Sequence, residues 1–508
     1  MNTYQKIKNR FESFLQEPLN LLYLVVVVAI TRFLTLPLYP LMDTTEARYA
    51  EIARIMLELN DWVTPWFDDG IPFWGKPPLS FWLTAGSFKV FGINEFGARI
   101  PHWLSGIAVI WLIWSLPRSH SLNLAIYTMA LLAGSLLFFV SAGAVMTDMV
   151  MLVGIAMVMR GFWFGLYQAR NNKNFDKWWL FLGLAVGLLA KGPIALVLSL
   201  LPIGIWSVVT RNVGNLWRAF PWIYGAIITF ILVLPWYVMA EIHTPGFIEY
   251  FIIGEHWNRF LVPGWKGDLY GSAHDFPRGT IWLFLLMGTI PWSILLPIFY
   301  IVRKLKSPDA IRFSQNKEWL LYLLICSLFP ATFFTFAGNI LWTYLLPSFP
   351  ALAILSASWL DSNFPTKIVN RLLAIGLVGT LIVFITFITH LKVSGQEEIS
   401  SQKELVLEYL QRKQANEPLI YLAKRKFSAD FYSSGQVIFT KHLNQIVDNN
   451  EIDTAYLAIS REKKSELLEN CAIELKHIND YGRYSLFHIN NFNHSKQNMK
   501  NLKEYDRQ

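Results

Sequence analysis

Apolar residues in this chain come in runs of about 20, the length that crosses a hydrocarbon core of roughly 30 Å at about 1.5 Å rise per residue. The runs predict membrane segments near 20–38, 98–117, 122–141, 149–168, 178–190, 192–209, 219–240, 279–302, 319–337, 341–360 and 371–391. With further segments inside 77–92, the pattern predicts a polytopic α-helical membrane protein of about 11–13 transmembrane helices. The 178–190 and 192–209 runs are separated only by Lys191-Gly192-Pro193, and proline cannot continue a helix ladder, so a break is expected there.

Two polar stretches interrupt the apolar runs, 39–97 and 241–278. After His390 the pattern changes again. Short β-rich runs (Pro418–Leu422, Val437–Thr440, Thr454–Ile459, Arg483–His488) alternate with polar helix-like stretches (Gln402–Gln414, Glu462–Asn470). This predicts a small soluble α/β domain over 392–508, ending in a disordered dozen residues, behind a membrane domain over 1–391.

Charge orients the chain. The net charge is +8, which in a soluble protein would raise nucleic acid as a partner. Here the basic residues collect near Lys6, Lys8 and Arg10, Arg118, Arg170–Lys177, Arg211–Arg218, Arg303–Lys317 and Lys367–Arg371. Those are the ends and loops that an N-terminus inside makes cytoplasmic, as the positive-inside rule requires. Membrane lipids, not nucleic acid, are therefore the expected surroundings. Loops 39–97 and 241–278, the Thr147-Asp148 helix end, the Lys191 turn, the Gly338-Asn339 turn and the C-terminal domain then share the external face. The first apolar run lacks a small-residue cleavage site, so no cleavable signal is expected. The two cysteines, Cys326 in an apolar run and Cys471 in the tail, predict neither a disulfide nor a cysteine metal site.

The external polar stretches carry the candidate chemistry. In 46–59, Tyr49, Ile52, Ala53 and Met56 share one face of a helix and Glu51, Arg54 and Glu58 another, the pattern of a helix lying in the interface plane. Asp43 before it, with Glu46 three residues on, reads as a capping box. The same carboxylates can serve as a catalytic base or metal ligand. Lys76, between aromatics and Pro77-Pro78, either grips a phosphate as a point charge or snorkels to headgroups. Asp148 begins a long apolar helix as a cap or as a functional acid. In 241–278, Arg259 and Arg278 offer bidentate phosphate contacts. His256 and His274 lack a His-x₃-His spacing, so a satisfied loop histidine competes with a metal or proton-transfer role. Tyr344 brings a hydroxyl, or an interfacial anchor, to the same face.

Glu46-Ala47-Arg48-Tyr49-Ala50-Glu51-Ile52-Ala53, Lys76-Pro77-Pro78, Lys191-Gly192-Pro193, Glu255-His256-Trp257-Asn258-Arg259-Phe260 and Thr343-Tyr344-Leu345-Leu346-Pro347 together resemble the aminoarabinose lipid A transferase family. That family lies within the protein O-mannosyltransferase-like glycosyltransferases of GT-C fold. The resemblance spans about residues 30–360. It implies a bacterial inner-membrane enzyme with a periplasmic active site and C-terminal domain, moving a sugar from a polyprenyl-phosphate donor to lipid A or to another glycan or protein acceptor. It implies Asp43, Asp148 and Glu46 as catalytic carboxylates. Lys76, Arg259 and Tyr344, with Arg48 and Tyr49, would bind the donor phosphate, and His256 would be a divalent-metal position. Two departures stand out. Thr45 precedes Glu46 where the family often has Asp, leaving Asp43 two residues earlier. Gly75 precedes Lys76 where the family often has Glu, which removes a metal ligand.

The chemistry implied is one inverting displacement at the anomeric carbon, with cations neutralising the leaving phosphate and a carboxylate orienting or deprotonating the acceptor. A transporter or flippase for lipid-linked sugars is the competing class. Transporters place charges near the midplane and often in paired halves, whereas here they collect in outer loops and no repeat is visible.

Overall fold

A computed structural model describes residues 18–167, 174–271, 274, 276–306, 313, 315–414, 417–422, 425–440, 454–462 and 475–489. Lys6, Lys8, Arg10, Arg170, Asp275, most of the stretch 462–470, Cys471 and the last dozen residues lie outside the described residues. Two compact units form, one of Met1–Leu36 with Ile55–Phe384, the other of Pro37–Arg54 with Ile385–Gln508. Residues 37–54, expected with the membrane domain, thus cluster with the C-terminal residues.

The first unit is a helical bundle. Among the described residues six helices are long and apolar enough to cross a membrane: Glu95–Arg118, Thr147–Tyr167, Trp222–His243, Lys317–Thr335, Trp342–Asn363 and Thr366–Val393. A seventh candidate is the pair Thr280–Gly288 and Trp292–Leu305, bent by 83° at a turn containing Pro291. Shorter apolar helices cover Leu19–Leu34, Leu122–Ala133 and Ile194–Val209. The predicted run 122–141 breaks in two, Leu122–Ala133 and Leu136–Ser141. The further segment expected inside 77–92 forms a helix over Leu79–Phe91.

Local chemistry explains several ends. Asn94 Oδ1 accepts from Gly97 N at 2.8 Å and Ser121 Oγ from Leu124 N at 3.0 Å, each satisfying an orphan donor of the following helix. Close approach explains one packing. A Cβ on Gly154 would come 2.6 Å from Gly183 O, and one on Gly161 2.3 Å from Leu180 N. Only glycine lets Thr147–Tyr167 and Trp178–Lys191 lie backbone to backbone, the small-residue packing of membrane helices.

The second unit contains a five-stranded mixed sheet in the order Val437–Thr440, Leu419–Leu422, Ala455–Ser460, Tyr484–Ile489, Leu475–Tyr481. The first three strands are parallel, and Tyr484–Ile489 runs antiparallel to both neighbours. Leu405, Val406 and Tyr409, on one face of the helix Lys403–Arg412, pack with Leu419, Tyr421, Ala458 and Leu486. The chain from Leu41 joins this unit. Leu41 N donates to Tyr432 Oη at 2.7 Å and Asp43 N to Ser400 O at 2.8 Å.

Candidate functional site

The two glycine-packed helices set up the first contact of the site. They place Asp148, in the first turn of one, against Lys191, the last residue of the other. Lys191 Nζ donates to Asp148 Oδ1 at 2.5 Å, with both side chains buried. The ammonium also lies 4.6 Å from the centroid of the Tyr344 ring, a cation–π distance.

The turn after Lys191 requires glycine. Gly192 has φ +87, and a Cβ there would stand 2.5 Å from the Phe251 ring and 3.2 Å from His256 Cε1. Pro193 then begins the next helix. This fixes the Lys191 end against a π-helical stretch, Tyr250–Asn258.

That stretch supplies Glu255, the anion at the centre of the cluster. Lys76 Nζ donates to Glu255 Oε2 at 2.9 Å, and Arg259 Nη1 reaches Glu255 Oε1 at 3.0 Å. Arg259 also meets Asp268 at 3.2 Å. Burial alone would raise the Glu255 carboxyl, but Lys76 and Arg259 bring it down to about 2. Burial works against the charge on Arg259 as well, and Glu255 more than offsets it, so the guanidinium is raised above its usual value. Among the described residues Arg259 Nε has no hydrogen-bond partner.

Lys76 is held by its own arm. Tyr270 Oη accepts from Trp74 N at 3.0 Å and donates to Pro72 O at 2.8 Å. Trp74 Nε1 donates to Thr244 Oγ1 at 3.0 Å. With Pro77-Pro78 following, the backbone on both sides of Lys76 is restrained.

Lys76, Lys191, Glu255, His256, Arg259, Asn339 and Tyr344 line one open cleft of about 610 Å³, whose remaining walls include Met151, Ile194, Leu198, Phe260 and Phe334. Three cations therefore face a largely apolar hollow. The structure brings together five of the predicted residues: Asp148 beside Lys191, and Lys76, His256, Arg259 and Tyr344 in the lining.

Asp43, Glu46, Arg48 and Tyr49 belong to the second unit. Asp43 does not cap its own helix. Its carboxylate accepts from Ser428 N at 3.0 Å and Ser428 Oγ at 2.8 Å. Burial raises the Asp43 carboxyl, and the bonds from Ser428 pull it partway back. Glu46 reaches back as a capping box would, but to Met42 N, at 3.3 Å. Arg48 lies over the Tyr49 ring, 5.3 Å to its centroid, and over Phe427, 5.9 Å.

The residues do not fit a metal. His256 Nδ1 sits 2.8 Å from the Phe251 carbonyl, and both Glu255 oxygens already meet cations. Burial lowers the His256 pKa. Among the described residues no three histidine, cysteine or carboxylate side chains converge.

The motifs of Glu255 and Lys191 stand out in the sequence, but neither residue gains a role from it. For Glu255 a signal is present: Glu255 and Arg259 are four apart, the spacing of a helical ion pair. Lys191 has only its place at a helix break.

Known proteins share this architecture. A family model described as dolichyl-phosphate-mannose-protein mannosyltransferase matches residues 20–251. An undecaprenyl phosphate-alpha-4-amino-4-deoxy-L-arabinose arabinosyl transferase of Pseudomonas fluorescens is 29% identical over 405 residues, 75% of this chain and 65% of that protein. The protein so named from Erwinia tasmaniensis is 32% identical over 335 residues, 65% of this chain and 57% of its own. The chain thus matches less than two thirds of these relatives' length. The fold is that of ArnT from Cupriavidus metallidurans bound to undecaprenyl phosphate, with TM-score 0.75 and 19% identity over 92% of this chain and 97% of that one. The apo form of the same protein gives 0.72.

Proposed function

We propose that this chain, a multi-pass membrane protein of GT-C fold resembling the aminoarabinose transferases, moves a sugar from a polyprenyl-phosphate donor to lipid A or another glycan or protein acceptor. The observation that carries the reading is the convergence of Lys76, Lys191 and Arg259 on one apolar-walled cleft. A phosphate needs the cations, and a prenyl chain needs the wall of Met151, Ile194, Leu198, Phe260 and Phe334. The names of the curated relatives support undecaprenyl phosphate as carrier and 4-amino-4-deoxy-L-arabinose as the sugar.

The chemistry is a single inverting displacement. The acceptor oxygen forms a bond to the anomeric carbon as the carbon–oxygen bond to phosphate breaks, and that electron pair leaves with the phosphate. Lys76 and Arg259 stabilise the charge that develops there. They are held in advance by Glu255, so little reorganisation is needed during the reaction. The acceptor proton passes to a carboxylate, Asp148 or Asp43. Lys191 holds the Asp148 carboxylate in place through their 2.5 Å contact. His256 packs the Gly192 turn. The orientation follows from the basic loops: N-terminus in the cytoplasm, cleft and C-terminal domain in the periplasm, in the bacterial inner membrane.

Intact-mass spectrometry of lipid A from cells with and without the gene tests this reading. A sugar-sized mass increment present only with the gene supports it. Lipid A, glycoprotein and surface-glycan profiles all unchanged by the gene would contradict it.

A further inference from the structure

One polar atom of the cleft is left without a role by the phosphate grip. Asn339 follows the helix Lys317–Thr335, in the Gly338-Asn339 turn, and is only 5% exposed. Its Nδ2 donates to two carbonyls, Arg259 O at 2.6 Å and Val262 O at 3.0 Å. Two carbonyl acceptors can be met only by the amide NH₂, so the orientation of the side chain is fixed. Asn339 lines the cleft, and its Oδ1, the acceptor that remains, is buried and among the described residues has no partner. A buried amide oxygen without a partner is costly.

The chemistry of the missing partner is constrained. An ionised phosphate presents only acceptor oxygens, so Oδ1 would repel it. The prenyl chain has no donor at all. Of the three parts of the proposed donor lipid, only the sugar carries O–H or N–H groups. The Asn339 backbone turn is also docked beside the phosphate-gripping arginine: Gly338 N donates to Phe260 O at 2.6 Å, and a Cβ on Gly338 would stand 2.7 Å from Pro263 N. The Asn339 amide is anchored to the backbone of Arg259 itself, and both residues line the same cleft.

We propose that Asn339 is a specificity-determining residue whose Oδ1 accepts a hydrogen bond from one hydroxyl or amino group of the transferred sugar. The inference rests on the glycosyltransferase reading. It predicts that the site rejects a sugar lacking that one group, because the buried oxygen would stay unpaired.

The test uses the full-length protein in lipid nanodiscs with lipid A. The donors are undecaprenyl phosphate-linked 4-amino-4-deoxy-L-arabinose and three analogues in which the 2-hydroxyl, 3-hydroxyl or 4-amino group is replaced by hydrogen. In the wild type one analogue should lose about tenfold or more in kcat/KM. In Asn339→Ala that analogue and the complete donor should react at equal rates, while farnesyl phosphate still binds, showing the Arg259 loop in place. An equal penalty for the analogue in both proteins overturns the inference, as does loss of farnesyl phosphate binding with the penalty retained. If Asn339→Ala does not fold, the wild type alone decides: three analogues all within about twofold of the complete donor overturn it. No transfer from the complete donor to any acceptor by the wild type would instead be a failure of the glycosyltransferase reading.

Discussion

Asp148 and Lys191 form a buried ion pair, Oδ1 to Nζ at 2.5 Å, at the meeting ends of two helices packed through glycines. Removing one partner leaves an uncompensated buried charge, at a cost of about 3–5 kcal/mol, whereas replacing both is far milder. Asp148→Asn and Lys191→Met should each lower the thermal midpoint in detergent, and the double variant should recover part of the loss. All three should lose transfer. A double variant no more stable than the sum of the singles predicts would mean the pair contributes nothing.

Glu255 makes stability depend on acid. Its carboxyl, ordinarily at 4.5, is brought to about 2 in the folded protein. A depressed carboxyl contributes stability that is present above 4.5 and lost as pH falls toward 2. The shift corresponds to something on the order of 3 kcal/mol. Glu255→Gln should therefore melt below the wild type at pH 7. The gap should narrow between pH 4.5 and 2. Parallel melting curves across that window would show the carboxylate is not held by Lys76 and Arg259.

Gly192 should tolerate no side chain. At φ +87, with the Phe251 ring 2.5 Å from where a methyl carbon would stand, Gly192→Ala is strained in backbone and in packing. A destabilisation of about 1–3 kcal/mol is expected. The Lys191 end would shift with it, so transfer should fall more steeply than stability. Thermal melts alongside initial rates check this.

Much of this organisation is readable along the chain. The runs of about 20 apolar residues place the helices to within a few positions. Strands at 419–422, 437–440, 455–460 and 484–489 follow predicted runs, since their β-branched and aromatic residues face a core. Leu475–Tyr481 escapes because it is an edge strand, reading Leu-Lys-His-Ile-Asn-Asp-Tyr with little apolar alternation. The pairing of Asp43 with Ser428 escapes for another reason. Two residues 385 apart carry no local signal of contact, and a capping box explains Asp43-x-x-Glu46 equally well. The Glu255 role is hidden similarly: one cation partner is four residues away, the other is Lys76, 179 residues earlier.

Ser428 tests whether Asp43 acts on the acceptor. Its hydroxyl donates to Asp43 Oδ2 at 2.8 Å and opposes the upward effect of burial. Ser428→Ala should raise the carboxyl further, so more of it is protonated at any given pH. If the ionised form takes the acceptor proton, the acidic limb of the rate–pH profile should move to higher pH. An unmoved limb with intact folding would leave that role to Asp148.

The most direct measurement is reconstitution of the purified protein with a polyprenyl-phosphate-linked aminopentose and lipid A, read by intact mass against Lys76→Ala and Arg259→Ala. On the proposed reading each cation would make charge-assisted contacts worth about 1.5–3 kcal/mol to the leaving phosphate. The wild type should add one sugar to lipid A, and each variant should be slower by about 10- to 100-fold. Transfer at the wild-type rate in both variants would contradict the cleft as the place where the phosphate leaves.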